Sequence, residues 1–351
     1  MLHGQLNEMQ VWLAVHGWYH PASETDSYRQ RIAESLGRAG VKASVLRGVA
    51  LPYGRLPQAV LPILARDLLS YRVVGGITHD LYGDSVFRGV DVATIHDLYW
   101  NLPHHGFVVK AIQIQQLIYQ DYGRTVRKAK HVVVTTQSTR SRLLQLYGAK
   151  WRENISVVSV PIAIEGAVRG DHSQYDVVWI GSSVARKRPL MFARLVGELP
   201  SRLNVLMRLS PASSLVSDDI HTIRATVNAL RFGGRQFRLV EERISEQEMN
   251  QIYRSSKCLV STSVSEGFHV PVAEAYLQQV RVVLPRTEPY LSTYGEAEGV
   301  HWYHHDHELK DRIIEAAQAG PFRVDPEVVR TMSFSNVGNM LRQIYEQVQR
   351  R

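Results

Sequence analysis

Two carboxylates frame one turn of this chain. In "VSTSVSEGFHVPVAEAYLQQV", Val260 to Val280, an apolar, hydroxyl-rich stretch gives way to a glycine turn and then a helix-like segment. Glu266 stands at the turn and Glu274 eight positions on. Gly267 can take a positive φ, and Pro271 suits a first helical position, leaving the amides of Phe268, His269 and Val270 unpaired at a helix N-terminus. Unpaired amides and the helix dipole together make a seat for phosphate. Glu274 falls about one turn into the helix, and helical side chains lean toward the N-terminus, so its carboxylate reaches the same place. Carboxylates do not favour phosphate; they accept hydrogen bonds from hydroxyls such as those of a ribose and a sugar ring. A turn of this composition suits a nucleotide sugar.

Such a turn needs a strand before it and a sheet to hold it. The chain has 351 residues, 44% of them hydrophobic, which is enough for two cores; a single α/β barrel also fits the length. From "VWLAVHG" through "YRQRIAESLGRAG", "KASVL", "LPQAVLPILARDLLSY", "VVGGITHDL" and "VDVATIHDL", short apolar runs alternate with amphipathic ones, the pattern of a parallel sheet flanked by helices. A helix "GFVVKAIQIQQLIYQDYGRTVRKA", a strand "HVVVTTQ" and a helix "STRSRLLQLYG", with Ser138 as N-cap and Gly148 as stop, lead to "ISVVSVPI". After the polar "AIEGAVRGDHSQ" the alternation restarts with "YDVVWIG" and runs to "KCLVSTSV". The expected organisation is an N-terminal domain over residues 1–165, a second α/β domain over 173–332, and a C-terminal helix over 333–351 able to pack back on the first domain. Val337, Met340, Leu341 and Tyr345 share one face of that helix.

Other compositional signals narrow the setting. The lone Cys258, in an apolar run, excludes an internal disulfide and suggests a reducing compartment, so a cytoplasmic location is expected. No run of about 18 apolar residues suggests a membrane span, and "MLHGQLNEMQVWLAV" lacks the features of a signal peptide. A formal charge of +8 favours anionic partners. Helix-turn-helix, zinc-finger and RRM signatures are missing, and no nucleic-acid partner is expected.

"SVSEGFHVPVAEA" resembles the motif of retaining glycosyltransferases of the GT-B fold, family 4: Ser, two residues, Glu-Gly-Phe-Gly-Leu-Pro, two residues, Glu-Ala. Ser263, Glu266, Gly267, Phe268, Pro271, Glu274 and Ala275 match. The resemblance covers nearly the whole chain, through "TIHDL", "HVVVTTQSTRSRLLQLYG", "ISEQEMNQIYRSSKCLV", "TEPYLSTYGEAEGVHWYHHDHELKDRIIEA" and "SFSNVGNMLRQIYEQV". It implies two Rossmann-like domains facing each other across a cleft, with the donor held mainly by the C-terminal one.

Carried over by position, Glu274 would hold the ribose hydroxyls and Glu266 the transferred sugar, while Phe268, His269 and Val270 would offer backbone amides. Lys187, six positions after Gly181 in "WIGSSVARKRP", matches the lysine that binds the diphosphate. The arginine usual after that glycine is Ser182 here, and Arg186 or Arg188 is the expected substitute. His96 in "TIHDL" matches a histidine that faces the donor sugar, with Asp97 orienting its loop. Gly17, at the end of "VWLAVHG", matches a glycine-rich loop whose second glycine is replaced by Trp18. Glu266, Lys187 and His96 are thus the expected catalytic set. Three departures, His269 and Gln279 for glycine and Arg281 for proline, are expected to lie on the donor side.

The resemblance implies transfer of a sugar from a UDP- or GDP-linked donor to a saccharide, lipid-linked or other acceptor, with no cofactor and no metal. The donor's own phosphate oxygen would take the acceptor's proton while Lys187, an arginine and the amides stabilise the leaving diphosphate. No Asp-x-Asp pair stands in a metal-binding context, and the histidines of "HWYHHDH" (His301, His304, His305, His307) read as an ordinary strand and loop. Trp18, Tyr19, Tyr99 and Trp100 could stack on an acceptor sugar. Lys110, Arg124, Arg127, Lys128 and Lys130 could meet an anionic membrane. The alternatives are a non-catalytic binding subunit of the same fold and a sugar-nucleotide epimerase.

Overall fold

The structure, a computed structural model, describes residues 9–15, 24–47, 76–81, 90–98, 122–163, 173–210 and 220–351. The short β-branched runs form strands. Every residue of Val92–Ile95, His131–Val134 and Arg281–Pro285 is buried, as parallel strands covered on both faces must be.

The described residues form two compact units. The first contains β1 (Gln10–Val15), α1 (Glu24–Arg38), β2 (Lys42–Arg47), β3 (Ile77–Asp80), β4 (Val92–Ile95), α2 (Tyr122–Lys128), β5 (His131–Val134), α3 (Gln137–Tyr147) and β6 (Ile155–Val157). Its strands lie in the order β2-β1-β3-β4-β5-β6, all neighbours parallel, with Val11 opposite Ile77 and Val92 opposite His131. Thr136 caps α3 by accepting a hydrogen bond from the Thr139 amide, so the cap lies two residues before the expected Ser138. The hydroxyl that caps is the one whose residue remains extended, at φ −142° and ψ 157°. Gly148 ends the helix as expected, at φ 105°.

The second unit contains β7 (Tyr175–Ser182), α4 (Pro189–Val196), β8 (Val205–Ser210), α5 (Ile220–Phe232), β9 (Phe237–Val240), α6 (Glu246–Arg254), β10 (Ser256–Val260), α7 (Val270–Leu277), β11 (Arg281–Pro285), α8 (Tyr290–Tyr294), β12 (Val300–Tyr303) and α9 (Leu309–Gln318). Its parallel sheet has the order β12-β11-β10-β7-β8-β9. Trp179, Phe192, Met207, Ile223, Val227 and Phe237 fill the layer between β7–β9 and the helices α4 and α5, while Ile313 and Ala316 of α9 complete the core.

The chain re-enters the first unit within α10 (Pro326–Met332) and ends in α11 (Phe334–Arg350). Ser333 caps α11 by accepting from the Asn336 amide. Val337, Leu341, Ile344, Tyr345 and Val348 join the core built by Val11, Leu13, Ile32, Leu36 and Ile77, with Met340 partly buried against it. At Gly338 a Cβ would overlap the carbonyl of Ser35, so only glycine lets α1 and α11 approach this closely. Among the described residues no helix is long and apolar enough to cross a membrane.

Candidate functional site

In the second sheet the chain moves outward from β7 through β8 to β9, then returns to β10 on the other side of β7. The loops after β7 and β10 therefore diverge at their carboxyl ends, which is where open α/β sheets bind ligands. These two loops carry the charged residues singled out in the sequence.

The loops are tied together by their backbones and by one buried hydroxyl. The Trp179 indole donates to Thr262 Oγ1 at 3.0 Å, and that hydroxyl donates to the Lys187 carbonyl at 2.5 Å. Val264 N donates to the Arg186 carbonyl at 2.9 Å, and the Arg186 guanidinium returns a bond to the Ser265 carbonyl at 2.8 Å. A single 3-10 turn, Ala185–Lys187, ends at Arg188 in the left-handed region, φ 54° and ψ 48°, and Pro189 then opens α4. Arg186 and Lys187 are thereby turned to face the second loop.

There they meet Glu266. Its Oε2 lies 2.7 Å from Arg186 Nη1 and its Oε1 3.2 Å from Lys187 Nζ, while Ser263 Oγ donates to Oε1 at 2.8 Å. The Glu266 side chain is only 4% exposed, and those of Arg186 and Lys187 are 14% and 12% exposed. Burial alone would push this carboxyl up, but Arg186, Lys187 and His269 hold it well below the usual carboxylate range. Glu266 is thus a permanent anion, flanked by two cations.

His269 stands behind the same ammonium. Its Nε2 is 3.4 Å from Lys187 Nζ, and its Nδ1 is 2.8 Å from the Tyr290 hydroxyl and 3.3 Å from Ser261 Oγ. Burial, reinforced by Lys187 and Arg186 against the pull of Glu266, pushes the imidazole down to about 3. Burial and the charge of Glu266 push the Tyr290 phenol up, so it keeps its proton. At neutral pH the pair is uncharged.

The turn into α7 differs from expectation in one respect. Gly267 does not take a positive φ; the chain enters the helix through His269, at φ −94° and ψ 85°, so the reversal does not fall on the glycine. Pro271 does sit in the first turn, and His269 makes no side-chain cap. No hydrogen bond among the described residues engages the amides of Phe268, His269 and Val270. Glu274 lies on α7, and its Oε2 accepts from the buried Tyr253 hydroxyl of α6 at 2.9 Å.

The remaining residues separate by location. Gly181 packs so closely that a Cβ would press on the Trp179 ring and the Lys187 methylenes. Ser182 ends β7 opposite Ser210. Of the two candidate arginines, Arg186 joins Glu266, whereas Arg188 is held in a two-pronged pair with Asp306. His96 belongs to the first unit, where its Nε2 donates to the Leu81 carbonyl at 2.8 Å; Nδ1 is therefore the lone-pair nitrogen. Burial pushes His96 down against the opposing effect of that bond. Gly17, Trp18, Tyr19, Tyr99, Trp100 and Lys110 lie outside the described residues, as does the Arg124 side chain.

Two of the three departures are not on the donor side. Gln279 follows the C-terminus of α7 and Arg281 starts β11, at the amino ends of the parallel strands, the opposite end of the sheet from the two loops. Gln279 takes φ 61°, its amide bonds to the Tyr276 carbonyl, and the Val280 amide bonds to the Ala275 carbonyl. This is a Schellman cap, made here by a residue with a Cβ. Arg281 bonds to the Gly320 carbonyl through Nε at 3.0 Å and packs over the Phe322 ring. Both are structural. No group of His, Cys, Asp and Glu able to hold a metal occurs among the described residues, and His305 and His307 simply stack with centroids 5.5 Å apart.

Sequence reasoning missed Tyr253, Ser261, Thr262 and Tyr290. Each acts through tertiary contact, and none stands at a spacing that marks it.

No protein-family model matches this chain, and no curated protein matches it. Solved structures are similar in fold. The crystal structure of Anabaena HepE in complex with UDP and glucose superposes with a TM-score of 0.64 at 14% identity, over 98% of this chain and 99% of that one. Sucrose-phosphate synthase from Thermosynechococcus elongatus gives 0.65 at 12% identity, over 98% of each chain. WaaG, a glycosyltransferase involved in lipopolysaccharide biosynthesis, gives 0.63 at 12% identity, over 97% of this chain and 98% of that one. With these likenesses and the two six-stranded parallel sheets flanked by helices, the chain has the GT-B fold of two Rossmann-like domains.

Proposed function

We propose that this chain is a retaining glycosyltransferase of family 4, transferring a sugar from a UDP- or GDP-linked donor to a saccharide or lipid-linked acceptor. The observation that carries the reading is the cluster at the point where the second sheet reverses: Arg186, Lys187 and Glu266 beside the amides of Phe268 to Val270, which no hydrogen bond engages among the described residues. Two cations and a helix N-terminus suit a diphosphate, and Glu274 in reach of the same turn suits a ribose.

In this reading the bond between the anomeric carbon and the diphosphate oxygen breaks while the acceptor oxygen bonds to the same face. The acceptor's proton passes to the departing phosphate oxygen, so no protein nucleophile is required. Lys187 and Arg186 meet the negative charge that grows on the leaving group. Glu266 keeps both cations in place and offers its acceptor oxygens to sugar hydroxyls. The Tyr253 hydroxyl, donating to Glu274 Oε2, orients that carboxylate for the ribose hydroxyls. The fold likeness to HepE, solved with UDP and glucose, supports a UDP-sugar as the first donor to try.

The test is calorimetric titration against UDP, GDP, ADP and their sugar conjugates, repeated with Glu274→Ala. Micromolar binding of one nucleotide that the variant loses supports the reading and names the donor for an acceptor screen. Silence across the panel overturns it.

A further inference from the structure

His269 stands where the resembled motif has glycine, so the turn itself does not need its side chain. That side chain is nonetheless buried and engaged at both ring nitrogens. We propose that His269, braced by Tyr290, is a positioning residue that holds the Lys187 ammonium ready for the donor's diphosphate. The proposal deepens the donor-site reading above and rests on it.

The hydrogen-bond directions follow from chemistry. A lysine ammonium has donors only, so the ring nitrogen facing it, Nε2 at 3.4 Å, must present its lone pair. The ring proton then sits on Nδ1 and is donated to the Tyr290 hydroxyl at 2.8 Å. Tyr290 in turn donates to Ser261 Oγ at 2.8 Å, and the Ser261 backbone is fixed by the Tyr303 hydroxyl on its carbonyl at 3.0 Å. The chain of donors runs in one direction from Lys187 into the sheet. It passes through Tyr290 of α8 and ends on Ser261, just after β10, whose carbonyl is held by Tyr303 of β12.

Lys187 needs such a brace. Its flexible stem must give up rotamer freedom to meet a phosphate, and a residue that takes up that cost beforehand raises affinity. Glu266 cannot do this alone, because Oε1 is shared with Ser263 and Oε2 with Arg186. The groups facing His269 are Lys187 and Arg186 from the loop after β7, Glu266 on its own turn, Ser261 after β10 and Tyr290 on α8. Protonating the ring would set two cations face to face and remove the acceptor. The brace therefore works only with the imidazole neutral.

The experiment compares wild type with His269→Gln, His269→Asn and Tyr290→Phe. A glutamine oxygen reaches the place of Nε2 and restores an acceptor for Lys187; an asparagine amide reaches only the place of Nδ1. Two readouts are taken: donor KM and kcat between pH 5 and 9, and the rate at which a water-soluble acetylating reagent modifies Lys187 in ligand-free protein, followed by peptide mass spectrometry. Thermal melts report whether each variant folds. His269→Asn and Tyr290→Phe are expected to raise KM and Lys187 acetylation about tenfold, while His269→Gln restores both to within about threefold of wild type. The wild-type KM is expected to be flat from pH 5 to 8, as an uncharged brace requires. Equal losses in Gln and Asn, unchanged acetylation in His269→Asn, or a KM that titrates near pH 6 would overturn the proposal. If no nucleotide binds to wild type, the donor reading falls, and the acetylation order still decides whether the brace exists.

Discussion

Each unit of the protein buries a histidine within a chain of polar side chains, and the two chains are built differently. In the first unit His79 lies between Tyr345 of α11, 2.7 Å from Nδ1, and Thr94 of β4, 2.8 Å from Nε2. Its direct partners are hydroxyls, and the chain stitches α11 to the sheet. In the second unit His269 lies between a hydroxyl and an ammonium, within a cluster of one carboxylate and two cations. Burial is equal in kind, so burial alone does not mark a working site. What separates them is clustering: the buried Asp80 is the acidic neighbour of His79, whereas around His269 a carboxylate and two cations converge, which costs desolvation energy, and phosphate chemistry is a reason to retain it.

The largest expected effect that tests this contrast is on turnover. Lys187→Ala removes one stabilising contact from the leaving group and should lower kcat/KM about 100-fold, or about 3 kcal/mol, with a smaller change in melting temperature because Glu266 keeps Arg186. A variant that unfolds as readily as it loses activity would show that the cluster is structural after all. The counterpart in the first unit is His79→Leu, which strands the Tyr345 hydroxyl, leaves Thr94 only its bond to Tyr28, and should cost about 2 kcal/mol in urea unfolding. Its effect on nucleotide affinity, read by titration, should be under about twofold.

Acid should weaken both units by the same linkage. Burial first, and for His269 also Lys187, pushes His79 and His269 down to about 3 from the ordinary 6.5. In the unfolded chain each takes up a proton near 6.5 that the folded state refuses until about 3. Stability present above pH 6.5 is therefore lost as pH falls toward 3, by up to about 1.4 kcal/mol per pH unit for each histidine. Urea unfolding at pH 7 and pH 5 measures this, and His79→Leu should remove its own share of the slope.

The smallest expected effect concerns the cap that only mimics a glycine. Gln279→Gly should stabilise the second unit by about 1 kcal/mol, by relieving the left-handed backbone of a residue with a Cβ. A melting temperature that does not rise would mean that contacts of the glutamine offset its strain.

Much of this was legible in the sequence. The alternation of "KCLVSTSV" and "YDVVWIG" with amphipathic stretches located β10 and β7, and the motif around Glu266 located the turn. Spacing also placed Val337, Leu341 and Tyr345 on the buried face of α11. What spacing could not convey was partnership across elements. Tyr290 lies 21 positions from His269, and Thr262 lies 75 from the carbonyl of Lys187 that it bonds. Nor could the sequence choose between Arg186 and Arg188, since only the turn ending in a left-handed Arg188 sends one guanidinium to Glu266 and the other to Asp306. Gln279 and Arg281 stand close to the motif in sequence and so read as donor-side residues. The eight residues of α7 carry the chain on to the amino ends of the strands, where both stand.

The return of α11 to the first unit sets an order in time. The His79–Tyr345 bond spans 266 positions, and the helix that closes over α1 and the first sheet follows the entire second unit. A nascent chain thus carries an incompletely covered apolar face on its first sheet while it makes β7 through α9, whose contacts are all available sooner. The donor-side unit is the part that can finish first. The first sheet must wait for residues 334–350 to complete its cover.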